Sequence, residues 1–571
     1  MAKLNEESKS TSHRVVGKNV RRLDAVAKVT GKAKYADDFF ERDMLVGKVL
    51  RSPYAHARIR NIDASGAKSL SGVEAVITYR DLPGIRFATA GHPWSLDAGH
   101  RDVEDRLILT DKARFVGDAV AAVVASDLLT ALKALKLIKV DYEVLEHVLD
   151  PQEAMKDGAP VIHDEKPGNI ISSFGVRFGD VDREMKDAYR VFEGEFETSI
   201  VQHCHIENHT AYSYVDTDGR IVVVTATQVP HIVRRIVAQA LGVPWGRVRV
   251  IKPYIGGGFG NKQDAVIEPL TAAMTLAVKG KPVRYALTRE ECFIDTRTRH
   301  AMKFRIKTSV SRDSRLTGID IKVVSNNGAY ASHGHSVAMS AGARFRPLYD
   351  FRAVNFEPKT VYTNLPVAGA MIVEKRMAAV VCSLEDIAME SFYDRIHSNP
   401  ITSDTSANVR INAMSYGVTF AEVEVDMETG RIEVLEIYNV HDSGVIINPK
   451  LAEGQVHGGV SMGLGYALTE QMLFDKKTGK PLNNNLLDYK LQTILDTPRI
   501  GVAFVETFDA AGPFGNKSLG EPPVITPAPA IRNAVLDATG IAFNSVPMYP
   551  QVVFEKFRAA GLLNGLLEKP G

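Results

Sequence analysis

The sequence predicts an α+β protein built from several domains, and three observations point there. The chain has 571 residues, enough for about four domains at about 150 residues each. Hydrophobic residues make up 45% and charged residues 24%, the composition of chains with enough apolar surface to offset their conformational entropy. Short β-branched runs and helical patterns are interspersed along the whole length, with no internal repeat and no low-complexity block.

Residues 1–15 are polar and read as a disordered lead-in. Residues 16–150 form a first α/β unit. In it Leu45–Arg51 and Arg58–Ile62 read as strands, Asp118–Ala125 as a buried strand, Leu128–Leu137 as a helix and Ile138–Tyr142 as a further strand. Residues 151–180 carry Pro151, Pro160 and Pro167 among Gly and Asp and read as a linker. The unit 181–371 has strands at Arg220–Ala226 and Val248–Ile251, and a helix His231–Leu241 ended by Gly242. An apolar helix Val266–Val278 and a hairpin of Arg305–Ser311 with Leu316–Asn326 follow. Residues 372–571 hold a hairpin of Val418–Asp426 with Arg431–Val440 around Thr429-Gly430, a glycine-rich helix Gly454–Leu468, and a helix Ala528–Thr539 after a Pro-rich stretch.

With 69 basic and 68 acidic residues the formal charge is +1, which gives no electrostatic footprint for sequence-independent nucleic-acid binding. Cys204, Cys292 and Cys382 are too few and too dispersed for a disulfide framework or an iron–sulfur cluster. The first residues lack an apolar signal core, and no run of about 18 apolar residues occurs. These features lead us to expect a soluble, cytoplasmic protein with no membrane partner.

Four local motifs could carry chemistry. In Ile255-Gly256-Gly257-Gly258-Phe259-Gly260-Asn261-Lys262 a strand runs into three glycines shortly before a helix. Such a loop can turn N–H groups toward an anion; it is neither a P-loop nor a usual GxGxxG site, and a tight turn around a packed Phe is the alternative. In Gln202–His209, a strand would put His203, His205 and Glu207 on one face. That pattern suits a metal, but a pocket wall of hydrogen-bonded imidazoles is favoured. Glu521, between Gly520 and Pro522-Pro523, is a carboxylate on a rigid loop whose prolines lack N–H donors, a feature suited to a general base but shared with surface turns. Gln228, at a strand end before a helix, can donate to a ligand oxygen.

Taken in order, these motifs resemble the molybdenum-binding subunits of the xanthine dehydrogenase and aldehyde oxidase family of molybdenum hydroxylases. The likeness opens with Lys28–Asp38 and Arg51–Ala57, continues through the triple-glycine loop and Asn326–Tyr330, and closes with His441–Gly444, Asn448-Pro449, Gly454–Gly459 and Gly520–Pro523. It covers nearly the whole chain. The resemblance implies a hammerhead domain over 16–150 followed by molybdopterin-binding domains, the second incomplete. Molybdenum would be held through the pterin dithiolene rather than by protein ligands, in the plain or the cytosine-nucleotide form. Glu521 would be the general base, Gln228 would hydrogen-bond a molybdenum ligand, and Gly257, Gly258, Phe259 and Gly260 would form the cofactor loop. The reaction implied is hydroxylation of a purine or similar N-heterocycle. Electrons would leave through a separate [2Fe-2S] subunit and an FAD-binding subunit. A hydroxylase of an aldehyde or another N-heterocycle, and an inactive remnant, are the alternatives.

Two departures from the family pattern stand out. Gln263 replaces a substrate-binding Glu, so a neutral amide would meet the substrate. After Leu365–Met371 the family continues with an Arg-Gly pair; here Ile372-Val373-Glu374-Lys375 follows, and the likeness resumes at about Glu385–His397. A block on the order of one domain is therefore expected to be missing, with its Arg, its substrate-sandwiching aromatics and a pterin-gripping Gly-Gln-Gly stretch.

Overall fold

The structure is a computed structural model that describes residues 13–91, 102–345, 348–371 and 413–563. The expected break after Met371 falls in 372–412 and lies outside the described residues.

Most of the anticipated elements form. Leu45–Arg51, Ala57–Asp63, Ala119–Ala125 and Lys139–Val144 are strands, and Leu128–Leu137 is a helix capped by Asp127. Every residue of Ala119–Ala125 is buried, as its unbroken apolar run requires. The first unit is not a closed sheet, however. Leu45–Arg51 pairs in parallel with Val283–Ala286 and so joins a seven-stranded sheet that also holds Thr210–Val215, Ile221–Thr225 and Val248–Ile251. Helices Pro230–Leu241 and Glu268–Ala277 pack on this sheet in one core. Gly242 stops the first of them at φ +67°, a left-handed cap that glycine adopts without strain.

A second sheet lines up Ile170–Ser172, Ala353–Tyr362, Leu316–Gly328, Ala301–Val310 and Arg190–Thr198. The predicted hairpin is there, but Leu316–Gly328 also pairs in parallel with Ala353–Tyr362. The segment 151–180 is a correction to the sequence reading. Far from a bare linker, it contains the helical turn Pro151–Ala154 and two short strands, Ile170–Ser172 and Val176–Phe178, that add to Ala353–Tyr362. Asn169 secures it by bonding Ile162 N, Ala154 O and Pro160 O. Local Pro and Gly content could not reveal pairing with strands so far away in sequence.

The third layer is the sheet Tyr416–Val425, Ile432–Asp442 and Arg499–Phe504, which packs one face on helices Pro449–Leu468 and Pro527–Thr539. The glycines of Pro449–Leu468 are contact surfaces. A Cβ on Gly459 would lie 2.5 Å from Pro523, and one on Gly463 would lie 2.8 Å from Pro527. A side chain at Gly459 would push the Glu521 turn away, and one at Gly463 would push away the start of helix Pro527–Thr539.

Candidate active site

The glycine loop is fixed from below by two side chains. Glu207 accepts from Gly256 N at 2.7 Å and from Lys262 Nζ at 2.8 Å with one carboxylate oxygen. Gln228 Oε1 accepts from Gly260 N at 3.1 Å, while Gln228 N donates to Lys262 O at 2.7 Å. Lys262 is wholly buried and lies below its ordinary pKa because burial disfavours the ammonium, an effect that Glu207 opposes. Between these anchors Gly257, Phe259 and Gly260 take φ of +90°, +51° and +98°. Only glycine is at ease there, so Phe259 is held in a strained geometry by its neighbours. Phe259 is 43% exposed.

The loop's donors divide cleanly. Those of Gly256 and Gly260 are used internally, but the N–H groups of Gly257, Gly258 and Phe259 bond to nothing among the described residues. Successive free N–H groups on backbone of this kind make an anion-binding concavity. With its Oε1 occupied, Gln228 has its amide NH₂ left to donate. This donor set fits an oxygen-rich anionic cofactor. Gln263 closes the short turn after the loop, half-buried, with its N–H on Gly260 O.

Residues 202–209 correct the strand reading. The segment is irregular, with Cys204 at φ +48°, so the alternation that would align His203, His205 and Glu207 is broken. His203 sets one ring nitrogen 3.0 Å from Arg297 O and the other 2.9 Å from Ala370 O, and burial lowers its pKa to about 4, so the neutral ring donates to one of the two. His205 and His209 are buried side by side, ring centroids 5.1 Å apart, and are driven well below the usual imidazole range, chiefly by burial. No group of three metal-ligating side chains forms among the described residues. Burial disfavours the charged form of all three imidazoles.

Behind the loop lies a buried polar layer that the sequence did not disclose. Asp264 takes Arg297 Nε at 2.7 Å, Ser332 Oγ at 2.6 Å and Thr89 Oγ1 at 3.0 Å. Burial alone would raise this carboxyl, but Arg297 and His333 outweigh it and hold the group below the usual carboxylate range. The partners come from three distant segments, so no local signal could have assembled them.

Glu521 begins the short helix Pro522–Ile525, half-buried. The turn is seated on helix Pro449–Leu468, with Gln455 Nε2 donating to Gly520 O at 3.2 Å and Pro523 resting on Gly459. The same helix reaches the glycine loop's foundation six residues further on. There Gly465 carries the Glu470 carboxylate, which bonds Tyr489 Oη at 2.9 Å, and Tyr489 Oη accepts from Gln202 N at 2.9 Å. Six helical residues span about 9 Å.

Comparison with known proteins places the chain in a family. The a/b hammerhead domain of aldehyde oxidase and xanthine dehydrogenase matches residues 30–146, and molybdopterin cofactor-binding domains match 162–388 and 318–498. The fold and these matches thus define a molybdopterin-binding protein. The chain belongs to the xanthine dehydrogenase-like molybdenum hydroxylases, a family of oxidoreductases. It is 34% identical to the xanthine dehydrogenase molybdenum-binding subunit of Escherichia coli O157:H7, over 95% of this chain and 100% of that protein. It is also 34% identical to the nicotinate dehydrogenase large molybdopterin subunit of Eubacterium barkeri, over 74% of this chain and 95% of that one. The aldehyde oxidoreductase of Desulfovibrio gigas shares the fold at a TM-score of 0.81 and 20% identity, over 95% of this chain and 81% of that one. The first alignment spans 753 positions against the 571 residues present, so at least 182 positions have no residue in this chain. No helix among the described residues is long and apolar enough to cross a membrane.

Proposed function

We propose that the protein hydroxylates an electron-poor carbon of an N-heterocycle, purine-like in character, with Glu521 as general base. When bound, the molybdenum–pterin cofactor supplies the activated oxygen and accepts the two electrons. The free N–H groups of Gly257–Phe259 and the Gln228 amide would hold it, Phe259 would stand beside the reacting centre, and Gln263 would hydrogen-bond the substrate as a neutral donor and acceptor. Glu521 would take the proton released as oxygen is transferred, held in place by its seat on Gly459 and Gln455. Separate [2Fe-2S] and FAD-binding subunits in the cytoplasm would carry the electrons onward.

The observation that carries this reading is the run of three unbonded N–H groups, flanked by two fixed acceptors, on a loop tied to the unit that bears Glu521. The test is Glu521→Gln in the chain expressed with such partners. Molybdenum content should be kept while xanthine-dependent dye reduction falls at least about 100-fold, as for loss of a general base. Turnover by the variant within a factor of two of the parent would overturn the assignment.

A second reading has its own support. The 182 or more positions without a counterpart favour a chain that has lost part of its cofactor grip and is catalytically silent. Stoichiometric molybdenum together with turnover would exclude it.

A further inference from the structure

We propose that Tyr489 is a positioning residue that clasps the glycine loop to the unit bearing Glu521. The idea rests on the reading above for its purpose but not for its test.

The clasp is a continuous path of buried groups. Glu470 leaves the end of helix Pro449–Leu468 with its N–H on Gly465 O, and its carboxylate lies against Gly465, where a Cβ would come within 1.9 Å. Tyr489, 1% exposed and stacked edge-on against Phe293, donates its hydroxyl to Glu470 Oε2 at 2.9 Å. Tyr489 Oη itself accepts from Gln202 N at 2.9 Å. Gln202 is itself locked: its Nε2 donates to Cys292 O at 3.2 Å, and its Oε1 accepts from Asn261 Nδ2 at 3.2 Å. Asn261 closes the glycine loop, its N–H donating to Gly258 O at 2.8 Å and its Oδ1 accepting from Arg297 N at 2.9 Å.

The Tyr489 hydroxyl also lies 3.4 Å from Gln202 O, a longer contact than the 2.9 Å bond to Glu470. A phenol buried this deeply must find an acceptor, and Glu470 provides it. Gln202 forms an isolated antiparallel bridge with Thr298, but its N–H is spent on Tyr489. Helix Pro449–Leu468 thus holds the Glu521 turn at Gly459 and one end of the clasp at Gly465, while the other end terminates in the loop. The loop end of this path is held by hydrogen bonds, and the acid's end by the Gln455–Gly520 bond and the packing of Pro523 on Gly459.

The test is hydrogen–deuterium exchange on the full chain, read over peptides covering Gly256–Lys262. Tyr489→Phe keeps the ring and deletes the hydroxyl; exchange there should rise about tenfold, the effect of one lost buried hydrogen bond, while Ala119–Ala125 is unchanged. Glu470→Gln keeps an acceptor for the phenol and should retain the parent's protection, whereas Glu470→Leu should match Tyr489→Phe. An unchanged loop in Tyr489→Phe, an equal rise in Ala119–Ala125, or a Glu470→Gln variant behaving like Glu470→Leu would overturn the clasp. Because this readout needs neither molybdenum nor substrate, its failure is separate from failure of the catalytic assignment.

Discussion

The ion pair beneath the glycine loop gives the sharpest test of how the loop is built. Glu207→Ala removes the partner of a wholly buried Lys262 and, at the same stroke, the acceptor of Gly256 N. Leaving a buried charge uncompensated costs about 3–5 kcal/mol. The lost acceptor for Gly256 N belongs to the same carboxylate and is not counted twice. A central value of about 4 kcal/mol is a factor of about 1,000 in the population of the opened loop. Glu207→Gln keeps an acceptor for Gly256 N but not the charge, so it should fall between the parent and the Ala variant. Lys262→Met removes the buried cation and leaves Glu207, 10% exposed in its side chain, with its Gly256 bond; it should cost less than Glu207→Ala. The assay is native-state hydrogen exchange across 254–264, because a chain of several packed units need not unfold in one step. A Glu207→Ala cost below about 1 kcal/mol, or a larger cost for Lys262→Met, would refute the reasoning.

Three further outcomes follow from particular groups. Burial raises the Glu470 carboxyl to about 7, against the opposing pull of Tyr489 and Arg299. The folded protein therefore binds a proton there that the unfolded chain releases near 4.5, and stability is lost as pH rises from 4.5 through about 7. The loss is about 3 kcal/mol for the group alone, and melting temperatures across pH 4–8 should show a shallower fall in Glu470→Gln. A Cβ on Gly258 would lie 2.3 Å from Gln228 Oε1, so Gly258→Ala should detach Gln228 from Gly260 at a cost of about 1–3 kcal/mol, read as faster loop exchange. Gly459→Ala should meet Pro523 at 2.5 Å and displace the Glu521 turn, lowering turnover with little effect on exchange in the glycine loop.

Much of this molecule was open to a sequence reader. The helix Leu128–Leu137 forms with the predicted bounds, the hairpin around Thr429-Gly430 is present, and the glycine loop lies between strand Val248–Ile251 and helix Glu268–Ala277. These features are encoded locally, by apolar period, caps and glycine placement. The family too was visible in ordered motifs, since each is a short backbone device with its own spacing. The reading failed where it assumed regular backbone, as at Cys204, whose positive φ turns His203 and His205 out of register.

Local sequence thus dictates the set of elements and the chemical groups available to a cofactor. Tertiary structure alone decided which groups remain free. Glu207 and Gln228 consume the donors of Gly256 and Gly260 and leave those of Gly257–Phe259 open, and Tyr489 reaches Gln202 from 287 residues away. The physical reason is that a hydrogen bond depends on distance in space. Donors and acceptors this far apart in the chain meet only once sheets and helices have packed, and no local pattern records which of them will find a partner.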